Sequence, residues 1–144
     1  MRKDNDAPAL APPASISRLA ALVQEVRAAG LPVDVVVEGR PRTLAPGVDL
    51  SAYRIIQEAL TSGLKHAGPA HGQVLVCYGE RALEVEVSDD GRGIVNGGSR
   101  GGGHGLVGMR ERVALYGGEL ETGRRPEGGY AVRARLPLEP SEQR

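Results

Sequence analysis

The sequence predicts an α+β domain that folds as a two-layer sandwich, with helices packed on one face of a β-sheet. Its segments follow one another in the order helix, strand, helix, two strands, helix, two strands. The second and third strands read as an antiparallel pair, and the alternation of apolar and polar residues leaves one face of that pair for helices. At 144 residues, the chain has the length of one such domain with short tails.

The composition limits the core and the classes of partner. Phe and Trp are absent, so the core must consist of Leu, Val, Ile and Ala with a few Tyr. The 18 basic and 18 acidic residues cancel, which gives no electrostatic reason to expect nucleic acid or an anionic membrane as a partner. The single cysteine, Cys77, excludes an intrachain disulfide framework, and we expect a buried, inert thiol there.

Targeting signals are also missing from the sequence. No apolar run approaches the ~20 residues of a membrane-spanning helix. The N-terminus lacks the apolar region of a signal peptide. We therefore expect a cytoplasmic domain without direct membrane contact.

The first half of the chain contains a tail, two helices and a strand. Residues 1–14 are polar and then rich in Ala and Pro, which is typical of a linker. Apolar residues at three- and four-residue spacing predict a helix over residues 15–29, and residues 33–38 predict a strand. Asp49 is a good N-cap for a second helix, which continues to Ala67.

The second helix separates into two sides at about 100° per residue. The apolar side carries Tyr53, Ile56, Leu60 and Leu64. On the opposite side, Glu58, Ser62 and Lys65 lie within about 60° of one another. Taken alone, such a cluster is typical of a solvated polar face, so its meaning depends on the sequence that follows.

The second half of the chain contains two strand pairs separated by a glycine-rich stretch and a helix. The predicted strands are residues 73–78, 83–88, 120–122 and 130–136. A third helix is predicted over residues 106–116, before Gly117 and Gly118 end it. The domain is thus expected to span residues 15–138, with a polar tail over residues 139–144.

The glycine-rich stretch points to a ligand, since nine of the eighteen residues from Gly91 to Gly108 are glycine. Glycine loses the most backbone entropy on ordering and buries no side chain, so such a segment suits backbone that wraps closely around something. The preceding Asp89 can accept a hydrogen bond from an exocyclic amine such as that of adenine, and Gly91 and Gly93 let the backbone pass close to a planar base. Alone, this Asp-x-Gly-x-Gly pattern is more typical of a turn.

The end of the glycine-rich stretch, residues 103–108, has a spacing that suits phosphate binding at a helix N-terminus. Free N–H groups and the helix dipole attract anions there. The segment is not a dinucleotide-binding fingerprint, because that motif requires a preceding strand and a parallel βαβ unit. The two glycine patterns together therefore favour a nucleotide site of another kind.

Three segments together resemble the catalytic ATP-binding domain of sensor histidine kinases. Residues 53–67 resemble the N box of that family, residues 89–93 its first glycine box and residues 103–112 its second. The Gly-Leu-x-Gly-Met-x-Glu-Arg pattern in the last segment resembles the subfamily that pairs with NarL-type response regulators. The family belongs to the GHKL superfamily, so the resemblance implies a Bergerat fold: a mixed, mostly antiparallel sheet with helices on one face and a glycine-rich ATP lid.

The resemblance implies ATP and Mg²⁺ as cofactors and assigns roles to the matching residues. Asp89 would recognise the adenine amine, and residues 95–103 would form the lid. Lys65 would face the phosphate chain as a catalytic residue, and Glu58 would lie near the metal or polarise the reacting centre. The implied ATP-binding residues are Ser62, His66, Asp89, Gly91, Gly93, Gly103, His104, Gly105, Leu106 and Gly108.

One departure from the family concerns the metal. The N box of the family places Asn four residues after the Glu, where its side-chain oxygen ligates Mg²⁺, whereas this chain has Ser62 there. A serine hydroxyl can ligate Mg²⁺, but its reach is one atom shorter. Gly63 also loosens the helix by up to ~1 kcal/mol relative to Ala. Glu58 and Ser62 are thus the candidate Mg²⁺ ligands, and a degenerate nucleotide-binding or regulatory domain is the alternative to a working kinase.

The partners follow from the same resemblance. None of His66, His71 and His104 lies in a context that resembles a phosphoacceptor segment, so the accepting histidine is expected on a dimerisation domain of the same parent protein. A response regulator would be an indirect partner, the isolated domain would be a monomer, and the parent could be a membrane-anchored sensor. A stand-alone protein-serine kinase of the anti-sigma type is a third hypothesis, which the Gly-Met-x-Glu-Arg pattern disfavours.

Overall fold

The structure is a computed structural model that describes residues 15–66, 68–91 and 104–138, without the side chains of residues 66 and 104–106. The helices are α1 (Leu19–Ala28), α2 (Pro46–His66) and α3 (His104–Leu115). The strands are β1 (Val33–Gly39), β2 (Gly72–Tyr78), β3 (Ala82–Asp89), β4 (Glu119–Arg124) and β5 (Tyr130–Pro137). Each predicted strand is present with its ends within two residues of the expected positions, and a 3₁₀ turn at Ile16–Arg18 leads into α1.

The five strands form one mixed sheet in the order β1-β2-β3-β5-β4. β1 and β2 are parallel, with Val33 opposite Gly72, and the remaining neighbours are antiparallel. A parallel pair needs a long crossover, which α2 supplies because it lies between β1 and β2 in the chain. The predicted α+β sandwich with a mixed, mostly antiparallel sheet is confirmed.

The core lies between one face of the sheet and the helices. Strand residues that alternate along the sheet are almost fully buried on this face: Val33, Val74, Val76, Leu83, Val85, Val87, Leu120, Val132, Ala134 and Leu136. Helix side chains such as Val23, Ile55 and Val113 cover them, so the core is aliphatic as the composition predicts. Cys77 falls on the other face of β2 and is only half-buried, contrary to the expected buried thiol.

Helix α2 is the central helix of the domain, since it contacts α1, α3 and three strands of the sheet. Its buried side is wider than the predicted apolar side and includes Ala52, Ile55 and Ala59. Of the predicted polar side, Glu58 and Ser62 are half-buried, and Lys65 is exposed. The interpretation of this side as a fully solvated face is therefore wrong for two of its three residues.

The prediction that Asp49 caps α2 is wrong, because α2 begins three residues earlier at Pro46. Proline at the first helical position is pre-organised for a helix, and the amide of Asp49 already donates a helical hydrogen bond of 2.9 Å to the carbonyl of Ala45. The carboxylate of Asp49 acts on a different helix. Its Oδ1 accepts from the backbone N–H of Ile16 at 2.7 Å, and its Oδ2 accepts from the Ser15 hydroxyl at 2.8 Å.

Asp49 thus fastens the start of α1 to the start of α2. Its charge also acts on the neighbouring strand β2, where burial and then the Asp49 carboxylate raise the pKa of Tyr78. Two charge-assisted hydrogen bonds on one carboxylate make this the polar joint between the N-terminal turn and the rest of the domain.

We expect Asp49→Ala to lower the free energy of unfolding by about 2 kcal/mol, because it removes hydrogen bonds to a charged acceptor and leaves the Ile16 amide without its cap. Urea unfolding followed by circular dichroism measures this change. Asp34→Ala is the matched control, since Asp34 is exposed on β1 and its pairing with His71 spans 3.6 Å. Equal losses in the two variants would contradict the role of Asp49.

We expect Gly63→Ala to stabilise the domain by up to about 1 kcal/mol, because alanine favours the helical state over glycine. The substitution fits, since a Cβ atom at Gly63 would lie 3.5 Å from Leu31 Cδ2, which is ordinary van der Waals contact. Thermal and urea unfolding both measure the gain. Destabilisation would show that α2 and its neighbours are packed more tightly at this point than the structure indicates.

Candidate functional site

Asp89 is the last residue of β3 and one of the few buried charged residues among those described, with 7% of its surface exposed. Its Oδ1 accepts a hydrogen bond of 2.9 Å from the backbone N–H of Gly91. This bond spans two residues, so the aspartate closes its own turn and fixes the direction of its carboxylate. The Asp-x-Gly segment therefore forms a turn, as the pattern alone suggests. The same aspartate is also a buried hydrogen-bond acceptor at the end of β3.

Helix α2 meets this carboxylate at Gly63. A Cβ atom at Gly63 would lie 3.7 Å from Asp89 Oδ2, so the helix backbone and the strand end are in close contact. Gly63 directly follows Ser62, the residue that the sequence singled out as a departure from the family. The structure therefore brings the N-box helix and the first glycine box together at one point.

Viewed along the axis of α2, the three polar residues of the predicted polar side are reached by turning in one direction from Gly63. At about 100° per residue, Ser62 lies about 100° around the helix from Gly63, and Glu58 and Lys65 lie about 140° and 160° round in the same direction. Along the helix axis, Glu58 lies before this contact and Lys65 lies after it.

The hydroxyl of Ser62 is buried and has no hydrogen-bond partner in the described part of the structure. A buried hydroxyl without a partner carries a desolvation cost of roughly 1–3 kcal/mol. Glu58 is one helical turn away on the same side and half-buried. A carboxylate and an oxygen that lacks a partner are a suitable pair of donors for a hard cation such as Mg²⁺, which also takes oxygen ligands from phosphates and water.

Asp90, the second aspartate of the glycine box, has a different environment. Its carboxylate Oδ1 accepts from the backbone N–H of His71 at 2.8 Å, and its own amide donates to the His71 carbonyl at 3.2 Å. The side chain of Asp90 is thus used to tie β3 to the segment before β2. Of the two adjacent carboxylates, Asp89 faces the helix and Asp90 holds the strand end.

Helix α3 begins at His104, two residues before the predicted start. Gly105 and Leu106 therefore lie in its first turn, where backbone N–H groups have no partner within the helix. A Cβ atom at Gly108 would meet nothing within 4 Å, so the backbone borders open space there. Arg110, Glu111 and Arg112 are exposed as expected, and Arg110 Nε donates to the Leu120 carbonyl at 3.2 Å, which links α3 to β4.

Several predicted site residues are outside the described part of the structure. They are Gly93, Gly103, the whole of the predicted lid over residues 95–103, and the side chains of His66, His104 and Leu106. Within the described residues, no cluster of three or more His, Cys, Asp or Glu side chains could hold a metal by itself. Likewise, none of the described helices has the length and apolar character needed to cross a membrane.

The sequence did not reveal a contribution from the turn between β4 and β5. Arg125 in this turn donates from Nη1 to the backbone carbonyl of Asp89 at 3.1 Å and from Nη2 to the carboxylate of Glu127 at 2.8 Å. Hydrogen bonds from its own backbone and from Arg125 lower the pKa of Glu127. Gly129 has a φ of 97°, and a Cβ atom there would overlap the Asp89 carbonyl. In the sequence, the Gly128-Gly129 pair indicated a turn at this point. It did not indicate that the turn contacts Asp89.

A separate cavity of about 650 Å³ lies between α1, β1 and the segment before α2. It is lined mainly by apolar side chains, among them Leu19, Val35 and Leu44. None of the predicted ATP-binding residues lines it, and it opens beside the Asp49 joint. The cavity is therefore distinct from the meeting point of α2 and β3.

Comparison with known proteins points to the same family as the three sequence motifs. Residues 47–140, well over half of the chain, match the family described as histidine kinase-, DNA gyrase B- and HSP90-like ATPases. The signal transduction histidine-protein kinase/phosphatase DegS of Brevibacillus brevis is 30% identical over 113 residues, which are 78% of this chain and 29% of DegS. The nitrate/nitrite sensor protein NarX of Escherichia coli is 28% identical over 103 residues, which are 72% of this chain and 17% of NarX.

A solved structure of a histidine kinase domain also matches this chain. The histidine kinase domain of a blue-light activated histidine kinase from Erythrobacter litoralis matches with a TM-score of 0.65 and 26% identity, over 94% of this chain and 72% of that chain. The chain spans less than a third of the length of DegS and NarX. The expected resemblance to sensor histidine kinases is confirmed, and the match to NarX is consistent with the subfamily indicated by the second glycine box. The chain belongs to the histidine kinase-, DNA gyrase B- and HSP90-like ATPase family.

Proposed function

We propose that this chain is the catalytic domain of a two-component sensor histidine kinase. It binds Mg-ATP and transfers the γ-phosphoryl group to a histidine on a dimerisation and phosphoacceptor domain outside this chain. The observation that carries the proposal is the contact between Gly63 of α2 and the buried carboxylate of Asp89 in a chain of this family. Burying a carboxylate costs free energy, so its position at the end of β3 against α2 is a feature that a binding role would explain.

Asp89 is the proposed reader of the adenine base. Its Oδ1 is held by the Gly91 amide at 2.9 Å, so the carboxylate is fixed before any ligand arrives. A carboxylate has about four lone-pair sites, so it can accept an exocyclic amine alongside hydrogen bonds from the protein. Gly91 and Gly93 are proposed to line the base, because backbone without side chains can approach its plane.

The phosphates are proposed to lie between α2 and the start of α3. Lys65 supplies an exposed ammonium group, and the first turn of α3, with Gly105 and Leu106, supplies backbone N–H groups at the positive end of a helix. Glu58 and Ser62 are the residues that would hold Mg²⁺, together with oxygens from ATP and water. When bound, the metal would neutralise the charge on the phosphates during transfer.

Transfer breaks the bond between the γ-phosphorus and the β,γ-bridging oxygen of ATP, which leaves as part of ADP, and forms a phosphorus–nitrogen bond to the accepting imidazole. This chemistry depends mainly on positioning and charge neutralisation, so the domain needs no nucleophile of its own. Glu58 is proposed to polarise the reacting centre from the phosphate end of the site. A response regulator then takes the phosphoryl group from the accepting histidine, without contact to the ATP site.

A second candidate is a nucleotide-binding regulatory domain without turnover. The buried hydroxyl of Ser62 favours it, because a short side chain with its oxygen turned away from solvent is a poorer metal ligand than a longer amide. The two candidates share the adenine site and differ in the use of Mg²⁺. Experiments at Asp89 test what they share, and experiments at Ser62 separate them.

We expect Asp89→Asn to weaken ATP binding by at least about tenfold, because an amide replaces one of the carboxylate oxygens that accept the amine. Isothermal titration calorimetry on the 144-residue chain measures the affinity. The matched control is Asp90→Asn, which keeps an oxygen for the His71 amide and should bind ATP like the unmodified chain. Unchanged affinity in Asp89→Asn would refute the adenine assignment.

We expect Ser62→Asn to increase the gain in ATP affinity that Mg²⁺ provides by about tenfold, since the longer side chain brings an oxygen to the metal. The measurement compares ATP dissociation constants in Mg²⁺ and in EDTA, followed by transfer to a supplied phosphoacceptor domain. Thr61→Asn introduces the same side chain at the preceding, exposed position and should change neither quantity. A strong Mg²⁺ gain in the unmodified chain that Ser62→Asn leaves unchanged would show that position 62 does not limit metal use.

A further inference from the structure

We propose that Arg125, in the turn between β4 and β5, is a positioning residue for Asp89 that sets the selectivity of the site for adenine. The role rests on the proposed ATP-binding function. Nothing in the three sequence motifs includes this residue, which follows the last residue of β4. Its proposed action is on the direction of the Asp89 side chain, with no contact to the nucleotide required.

The register of the sheet brings the two residues together. Asp89 of β3 lies opposite Tyr130 of β5, and Tyr130 lies opposite Arg124 of β4. Arg125 therefore starts two strand spacings from Asp89, roughly 10 Å across the sheet. Its side chain spans this gap over β5 and donates from Nη1 to the Asp89 carbonyl at 3.1 Å.

The turn that carries Arg125 is itself closed against the same carbonyl. The Arg125 amide donates to the Gly129 carbonyl at 2.9 Å, and the Gly128 amide donates to the Arg125 carbonyl at 3.0 Å. Gly129 abuts the Asp89 carbonyl so closely that a Cβ atom would overlap it. Glu127 holds the other side of the guanidinium at 2.8 Å, so the donor is oriented as well as near.

The peptide group between Asp89 and Asp90 is consequently held at both ends. Its oxygen accepts from Arg125 at 3.1 Å, and its N–H donates to the His71 carbonyl at 3.2 Å. A peptide group is planar, so fixing its oxygen and its N–H fixes the whole plane and the ψ angle of Asp89. The direction in which the Asp89 side chain leaves the backbone then follows, together with the 2.9 Å bond from the Gly91 amide.

Loss of Arg125 should therefore affect recognition of the base more than binding of the phosphates. Comparing ATP with inosine triphosphate separates base recognition from phosphate binding. The two nucleotides carry the same phosphates, but hypoxanthine, the base of inosine triphosphate, lacks the exocyclic amine that Asp89 is proposed to bind. A residue that only stabilises the fold would change both affinities by the same factor. A residue that positions Asp89 would change the ratio between them.

The experiment measures dissociation constants of both nucleotides by calorimetry on the 144-residue chain and its variants. We expect Arg125→Met, which keeps apolar bulk and removes the donors, to weaken ATP binding by about tenfold and to leave inosine triphosphate binding within about twofold. Arg125→Lys keeps one charged donor, so it should retain more of the preference for ATP over inosine triphosphate than Arg125→Met does. The control is Arg124→Met at the adjacent, exposed arginine, which should keep the ratio.

The outcomes distinguish the two levels of the proposal. If the unmodified chain does not bind ATP, or if Asp89→Asn keeps the preference for ATP, the proposed function or its adenine assignment fails. If Asp89→Asn loses the preference and Arg125→Met keeps it, or weakens both nucleotides equally, the positioning role of Arg125 fails and the function stands. Should Arg125→Met lower the melting temperature below the assay temperature, both nucleotides are measured at a lower temperature at which the variant is folded, and an unchanged ratio there overturns the role.

Discussion

The contact between α2 and the end of β3 is the constraint on which the site depends. At Gly63 the helix lies against the Asp89 carboxylate, with Oδ2 3.7 Å from the place of a Cβ atom. Because α2 is also the crossover between the parallel strands β1 and β2, its position is fixed by the topology of the sheet. The residues proposed to bind ATP are thus positioned by the same packing that closes the core.

Polar contacts hold the end of β3 and the start of α2. At the end of β3, the peptide between Asp89 and Asp90 is held by Arg125 and by the His71 carbonyl. At the start of α2, Asp49 binds the turn that precedes α1. The aliphatic core supplies most of the stability in such a domain, whereas these few hydrogen bonds determine where particular groups point.

The sequence predicted the order and type of the described α-helices and strands because apolar periodicity and glycine turns are local signals. It failed where a side chain acts on a distant residue. Asp49 resembles an N-cap locally, yet its carboxylate caps the Ile16 amide of another helix. Arg125 was invisible as a site residue, since its partner Asp89 is 36 positions away and two strands across the sheet. Asp89 was a candidate from the sequence because the motif that carries it is short and contiguous, and its role in ATP binding stays a proposal.

The central claim is that adenine binds at Asp89, with the phosphates between the polar side of α2 and the start of α3. The most direct measurement is a crystal structure of the chain with Mg²⁺ and a non-hydrolysable ATP analogue. The proposed site predicts the exocyclic amine within about 3 Å of the Asp89 carboxylate, which is hydrogen-bond distance, and the phosphates beside Ser62 and the first turn of α3. A nucleotide found instead in the cavity lined by Leu19, Val35 and Leu44, or with its base away from Asp89, would contradict it.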